Sequence, residues 1–141
     1  MLLRMLWLLL LLLPPLSLAE TRVLSRGFLA DPQGQYQVQQ LSRQPFAPLA
    51  GVMARGYTRE VSWLRLVVAH DASAQPFVLR IRPGYLDEVR LYWQDAAGNW
   101  HSKVDGDRYP YALRAYPGST PAFLLQQDTP QRVYYLRLHT S

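Results

Sequence analysis

Aromatic and arginine side chains suited to ligand recognition concentrate between residues 85 and 116. They are Tyr85, Tyr92, Trp93, Trp100, Arg108, Tyr109, Tyr111, Arg114 and Tyr116. Tyrosine and tryptophan rings combine an apolar face with a polar edge, and a guanidinium group offers a planar fork of N–H donors. This combination suits sugars and small anions. The predicted ligand-binding residues are Tyr92, Trp100, Arg108, Tyr109, Tyr111, Arg114 and Tyr116.

Five of these seven residues lie in one segment, GDRYPYALRAYP, which spans residues 106–117. We interpret it as a long ordered loop, and loops carry recognition groups more often than packed strands do. Pro110 and Pro117 reduce the conformational entropy that such a loop loses when it closes on a ligand. A structural interpretation stays open beside this one. Many of the rings then pack in the core, and Arg114 acts as a clamp that holds the loop to the rest of the domain.

Catalytic and metal-binding patterns are absent from the sequence. The chain has no cysteine, which excludes disulfides, thiolate metal sites and cysteine nucleophiles. His70, His101 and His139 fall in separate segments without the spacing of metal ligands. No serine has a G-x-S-x-G context, and Asp87 and Glu88 are strand neighbours whose side chains point to opposite faces. We therefore expect no enzymatic activity, no metal and no cofactor.

The charge of the chain is modest and dispersed. The formal net charge is +5, from 15 basic and 10 acidic side chains. Lys103 is the one lysine, and the arginines are spread along the whole sequence. Nucleic-acid-binding domains cluster their basic residues on one face or stripe. We therefore expect no nucleic-acid partner.

The first 19 residues, MLLRMLWLLLLLLPPLSLA, have the features of a secretory signal peptide. Arg4 is followed by a leucine-rich run, a proline break and the small residues Ser17 and Ala19. The alternative is a membrane anchor, but a helix from Met5 to Ala19 reaches only about 22 Å against a hydrocarbon core of ~30 Å. We predict a cleaved signal peptide at 1–19, a single domain at 20–141, and a periplasmic location.

The chain beyond the leader is organised around a strand at residues 61–68. Its two faces carry different side chains: Leu64, Leu66 and Val68 on one side, and Trp63, Arg65 and Val67 on the other. One face is purely apolar and the other mixed, as expected for a central strand covered fully on one side and partly on the other. We expect Trp63 to pack in the core.

Further short strands and turns surround it. The residue pattern predicts strands at 36–41, 77–82, 89–94, 100–103, 123–125 and 133–139. Residues 20–29 are mixed in character, and we expect a flexible entry there with a short edge strand. Turn-forming residues predict turns at 31–34, at the hairpin 95–99, and at 105–107. Asp105 and Asp107 supply two oxygen ligands where calcium needs six to eight, which favours the turn over a calcium site. The pattern predicts an all-β fold, a β-sandwich of the jelly-roll type.

Five segments in this order carry a family resemblance. They are GYTREVSWLRLVV from Gly56, PGYLDEVRLYW from Pro83, the hairpin ending in Trp100, GDRYPYALRAYP from Gly106, and VYYLRLHTS from Val133. Over residues 28–141 the chain resembles the type 2 extracellular sensor domain of bacterial receptors with seven transmembrane helices and diverse intracellular signalling modules. The resemblance implies a jelly roll similar to carbohydrate-binding modules, placed outside the inner membrane. It also implies a signal-transduction output such as a histidine kinase of a two-component system or a diguanylate cyclase.

These observations predict a periplasmic ligand-binding sensor domain that recognises a glycan or a small acidic molecule. In the family the domain is followed by membrane helices, whereas this sequence ends at Ser141. Its expected partner is therefore either the C-terminal part of the same receptor or a separate membrane-spanning signalling protein. The alternative function is a protein–protein interaction module of the cell envelope, acting through a sheet face or through an exposed edge strand at 36–41.

Overall fold

The structure is a computed structural model that describes residues 22–51, 58–70, 76–82, 86–114, 118–125 and 128–141. The strands are β1 (Arg22–Asp31), β2 (Ala47–Pro48), β3 (Val61–Ala69), β4 (Phe77–Arg80), β5 (Glu88–Gln94), β6 (Trp100–Asp105), β7 (Ala122–Leu125) and β8 (Gln131–His139). Two short 3₁₀ helices complete the elements: the first at Val38–Arg43 and the second at Tyr111–Leu113. None of the helices in these ranges is long and apolar enough to span a membrane.

The strands form two antiparallel sheets. The larger sheet has six strands in the order β2-β1-β3-β8-β5-β6, and the smaller sheet pairs β4 with β7. The predicted all-β, sandwich-like fold is confirmed, while its assignment as a jelly roll stays a prediction. As predicted, β3 is central, because it pairs with β1 on one side and with β8 on the other.

The side of the six-stranded sheet that faces the small sheet is the inner face. Leu64 of β3 lies opposite Leu136 of β8, and Leu66 lies opposite Tyr134, so the apolar side of β3 points inward as predicted. The core on this side consists of Leu66, Val68, Ile81, Val89, Leu91, Phe123, Leu125, Tyr134, Leu136 and Leu138. Burial of these side chains is the main force that holds the two sheets together.

The opposite, outer face has a second, smaller core. It contains Leu29, Val38, Leu41, Val61, Trp63 and Tyr135. The prediction that Trp63 is buried is confirmed, since the residue is only 1% exposed. Its indole Nε1 donates a hydrogen bond to Asp31 Oδ2 at 3.0 Å. The buried carboxylate of Asp31 also accepts the backbone N–H groups of Gln35 and Tyr36.

The predicted strand at 36–41 is wrong, because the chain there forms the first 3₁₀ helix. The N–H bonds to Asp31 hold the chain in a turn, and the Gln37 N–H donates to Gln40 Oε1 at 2.9 Å. Residues three apart lie on the same side of a 3₁₀ helix, and Val38 and Leu41 are both buried against the outer face. The edge strand of the alternative function therefore does not exist at this position.

Several other predictions concern segments at the ends of strands. β1 is longer than the short edge strand predicted at 20–29, and it lies inside the sheet between β2 and β3. The turn at 31–34 is confirmed, since Gly34 N donates to Asp31 O at 2.9 Å. The 95–99 hairpin is also confirmed by the bond from Asp95 N to Asn99 O. The signal peptide at 1–19, the end of the 77–82 strand at Pro83, and Tyr116 lie outside the described residues in whole or in part.

Candidate functional site

Among the described residues, the outer face of the six-stranded sheet is covered over one half. The first 3₁₀ helix and Phe46 pack over the side of β1 and β3, whereas the side of β8, β5 and β6 carries polar and aromatic residues. In the register of β5 and β8, Arg90 lies opposite Arg137 and Tyr92 lies opposite Tyr135. Strand alternation places Glu88 on the same face as Arg90. We name Glu88, Arg90, Tyr92, Trp100, Tyr109 and Arg137 the outer-face site.

A hydrogen-bonded network centred on Glu88 forms its polar part. Glu88 Oε2 accepts a hydrogen bond from the Tyr109 hydroxyl at 2.8 Å, and Glu88 Oε1 accepts one from Arg137 Nη1 at 3.3 Å. Arg90 Nε lies 3.8 Å from Glu88 Oε1, and Arg90 Nη2 lies 3.5 Å from the Tyr109 hydroxyl oxygen. Glu88 is nearly buried, whereas the side chains of Arg90 and Arg137 are 31% and 25% exposed. The two arginine side chains are therefore more open to solvent than the glutamate.

The network carries one excess positive charge, because two arginines share one glutamate. The hydrogen bond to Glu88 and burial raise the pKa of Tyr109 above its ordinary value. Burial raises the pKa of Tyr92, against the opposing effect of the nearby charges of Arg90 and Arg137. Both phenols are thus neutral donors at physiological pH. The site offers guanidinium and hydroxyl donors to an anion or to a polyhydroxylated molecule.

Aromatic rings form the apolar part of the outer-face site. The ring of Tyr92 lies 5.8 Å from that of buried Trp63, and the ring of Trp100 lies 6.2 Å from that of Tyr135. Tyr92 and Trp100 are themselves half-buried. Trp100 is on the same face as Tyr92, because Tyr92 pairs with Ser102, which is two residues further along β6. Two anchored rings therefore flank the charged network.

Of the predicted binding residues, the structure brings Tyr92, Trp100 and Tyr109 together. Sequence reasoning missed Glu88, Arg90 and Arg137. The alternation of Glu88, Arg90 and Tyr92 in EVRLYW was a usable signal, since it places all three on one face of a strand. Sequence alone does not show that β8 lies beside β5.

Arg114 contacts its own loop rather than the network. Its Nε donates to the carbonyl oxygen of Tyr109 at 3.1 Å, and its Nη1 donates to the carbonyl oxygen of Gly118 at 3.4 Å. Arg114 Nη2 also lies 3.6 Å from a carboxylate oxygen of Asp107. These contacts all lie within residues 107–118, so they hold the conformation of the loop, and a clamp that holds the loop to the rest of the domain stays a prediction. A ligand-binding role for this residue stays a prediction.

The remaining predicted residues are dispersed. Arg108 is exposed, and its backbone N–H donates to the carbonyl oxygen of Asp87 at 3.0 Å. Tyr111 is 62% exposed in the second 3₁₀ helix. Tyr116 lies outside the described residues. Their ligand-binding roles stay predictions. The charge of Arg108 acts on Tyr109 of the Glu88 network, whereas no described contact joins Tyr111 to it.

Asp105 and Gly106 fix the loop that supplies Tyr109. Asp105 is buried, and its carboxylate accepts the backbone N–H groups of Gly106 at 2.7 Å and Ala122 at 3.2 Å. These bonds tie the end of β6 to the start of β7. Gly106 has a φ of 130°, and a Cβ there would lie 2.4 Å from the carbonyl oxygen of Asp87. The chain therefore passes close over the start of β5, next to Glu88.

Among the described residues, no three His, Cys, Asp or Glu side chains are grouped to hold a metal ion.

Comparison with known families agrees with the resemblance seen in the sequence. The family model described as 7TMR-DISM extracellular 2 matches residues 25–141, which is most of the chain. Comparison with curated proteins and with solved structures gives no match. The chain therefore belongs to the 7TMR-DISM extracellular 2 family and is an extracellular sensor domain of a receptor.

Proposed function

We propose that this domain is a periplasmic sensor that binds a glycan or a small acidic molecule at the outer-face site. The network of Glu88, Arg90, Arg137 and Tyr109 is the observation that carries the proposal. It combines excess positive charge with partly exposed guanidinium groups, and it lies beside Tyr92 and Trp100. A carboxylate or a set of vicinal hydroxyls accepts the guanidinium donors, while the rings contact the apolar face of a sugar or an organic acid.

We propose that the site binds its ligand without chemical turnover. Glycoside hydrolysis generally uses two carboxyl groups about 5–10 Å apart across a cleft. Glu88 is the one carboxylate that the described contacts place in the network, and it accepts bonds from Tyr109 and Arg137. A carboxylate held by a phenol and by guanidinium groups is suited to positioning donors.

We also propose how the domain is located and how it passes on a signal. Residues 1–19 act as a cleaved signal peptide that directs the domain to the periplasm. The bound state is passed to a membrane-spanning partner, which is either the C-terminal part of the same receptor or a separate protein. That partner carries a kinase or cyclase output.

The test is a glycan array together with a thermal-shift screen of sugars, amino acids and organic acids. The protein is the purified chain and its Arg90→Gln and Arg137→Gln variants. We expect at least one acidic or polyhydroxylated compound to raise the melting temperature, and each variant to weaken its binding by about tenfold or more. Arg43→Gln is the matched control, because Arg43 is exposed on the first 3₁₀ helix. A screen without hits, or equal losses in all three variants, refutes the proposed site.

A second candidate is an interaction module that acts through a sheet edge. β6 is the terminal strand of the six-stranded sheet, and residues 101–103 in its middle are exposed. A partner strand added there would extend the sheet by main-chain hydrogen bonds. Analytical ultracentrifugation and pull-down from envelope extracts test this candidate. A chain that stays monomeric and captures no envelope protein removes it.

A further inference from the structure

The two sheets differ in width, which leaves part of the inner face uncovered. Six strands face two in the described residues, and β7 is the strand of the small sheet that contacts β6. On the inner face, Trp93 of β5 lies opposite His101 of β6, and Leu91 lies opposite Lys103. Leu91 is buried, Trp93 is half-buried, and His101 and Lys103 are exposed. The inner face therefore changes from core to surface across these two residue pairs.

A cavity of about 110 Å³ lies at this transition, between the two sheets. Its buried lining consists of Leu91, Leu125 and Tyr134, and its remaining lining consists of Trp93, Leu124 and Lys103. We name it the inter-sheet cavity. Three leucines and the aromatic side chains of Trp93 and Tyr134 line it, and Lys103 is the single ammonium group in this lining.

The ammonium group of Lys103 lies near the ring of Trp93. Lys103 Nζ lies 5.7 Å from the centre of the Trp93 ring, and the imidazole of His101 stacks on that ring at 5.5 Å. His101 Nε2 lies 2.8 Å from Asp95 Oδ2, so this imidazole is engaged with the hairpin carboxylate. Lys103 has no carboxylate partner within salt-bridge distance among the described residues. An anion at the cavity mouth would meet an ammonium group that no described acid neutralises.

We propose that the inter-sheet cavity binds a small monocarboxylate with one aromatic ring. The ring fills the apolar interior beside Trp93, and the carboxylate pairs with Lys103. An engineered cavity of about 150 Å³ lined by apolar side chains binds benzene, so a cavity of this order that is open at one end accommodates a single ring. The site is on the opposite face of the sheet from Arg90 and Arg137. It is therefore independent of the proposed outer-face function.

Tryptophan indole N–H resonances distinguish the two sites in one experiment. Trp93 lines the inter-sheet cavity, whereas Trp63 and Trp100 belong to the outer face. Benzoate is the probe, and neutral benzamide is its control of the same shape. We expect benzoate to shift the Trp93 resonance saturably and to leave the Trp100 resonance in place, with benzamide binding at least about tenfold more weakly because it cannot pair with Lys103.

Two variants complete the test. Lys103→Gln, which removes the charge but keeps a polar hydrogen-bonding side chain, should weaken benzoate binding by about tenfold. Arg43→Gln, which removes a remote exposed cation, should leave it unchanged. A benzoate shift at Trp100 in place of Trp93, equal binding of benzoate and benzamide, or the absence of any saturable shift overturns the proposal. Each of these results is separate from the outcome of the Arg90 and Arg137 experiment.

Discussion

The two faces of the six-stranded sheet are built from alternate residues of the same strands, yet they differ in what covers them. The inner face is largely apolar, and a second, narrower sheet covers most of its core. The outer face is apolar only beneath the first 3₁₀ helix, and elsewhere it carries the Glu88 network. The face without a covering sheet thus has charged groups partly open to solvent. The site that we propose for recognition therefore occupies positions that core packing does not cover.

The covered half of the outer face should be as important for stability as the inner core. Trp63→Ala removes a side chain that is 1% exposed, and it also leaves Asp31 without its indole donor. We expect a loss of about 3–5 kcal/mol in the free energy of unfolding, measured by urea melts. Trp100→Ala, on the side of β5 and β6, is the control. The Trp100 ring is half-buried, so its removal should cost less free energy of unfolding. An unchanged midpoint for Trp63→Ala would show that the outer face has no true core.

The loop between β6 and β7 connects the outer-face site to the small sheet. A substitution of Arg114 tests whether this residue stabilises the loop or binds a ligand. Because its guanidinium group is bonded to the carbonyl oxygens of Tyr109 and Gly118, we expect Arg114→Ala to reduce stability by about 1–2 kcal/mol. Affinity for an outer-face ligand should change less than in Arg90→Gln. Denaturant melts and calorimetry on the same variant measure both quantities. Weakened binding with unaltered stability would instead assign Arg114 to the site.

The Tyr109 hydroxyl should make the stability of the domain decrease at alkaline pH, through its hydrogen bond in the outer-face site. Its pKa is raised above 10.0 because it donates to Glu88, so its contribution to stability is present below pH 10 and is lost as the pH rises through the folded-state pKa. We expect Tyr109→Phe to flatten the decline of stability above pH 10, measured by urea melts at several pH values. Tyr111→Phe, at an exposed position, should leave the decline unchanged. Equal slopes for all three proteins would contradict the hydrogen bond.

The smallest expected effect is at the β5–β6 hairpin, which borders both faces. The hydrogen bond from His101 is the main reason why the pKa of Asp95 is lowered to about 2. The stabilisation linked to this group is present above its ordinary pKa of 3.8 and is lost as the pH falls toward 2. In His101→Gln the pKa of Asp95 should rise toward 3.8, as measured by NMR titration of its carboxyl carbon. An unchanged titration would place the main interaction of Asp95 with Asn99 and Ala97 instead.

The sequence predicted the parts of the fold that depend on near neighbours. The period-2 pattern located β3 and its two faces, and the residues of 95–99 located the hairpin, since both signals are local. The segment at 36–41 was mispredicted because Tyr36 and Val38 alternate with glutamines as a strand does, while the spacing of three between Val38 and Leu41 fits a 3₁₀ helix. The deciding contacts are the hydrogen bonds that the Asp31 carboxylate accepts from the backbone N–H groups of Gln35 and Tyr36, and the alternation of apolar and polar residues does not display them.

The candidate site was only partly predictable for a similar reason. Tyr92, Trp100 and Tyr109 were found because aromatic residues stand out in a sequence. Glu88 and Arg137 are 49 residues apart in the chain and meet only because β8 lies beside β5. Strand order in a sheet is set by long-range packing, which a single sequence does not display.

The central place of β8 makes both halves of the large sheet depend on this one strand. β8 is the last strand in chain order, yet it lies between β3 and β5 and joins β2-β1-β3 to β5-β6. Until it inserts, both halves of the large sheet expose an unpaired strand edge, and such edges invite pairing with other chains. The edges of β3 and β5 that β8 covers are therefore the edges most open to wrong pairing before the sheet is complete.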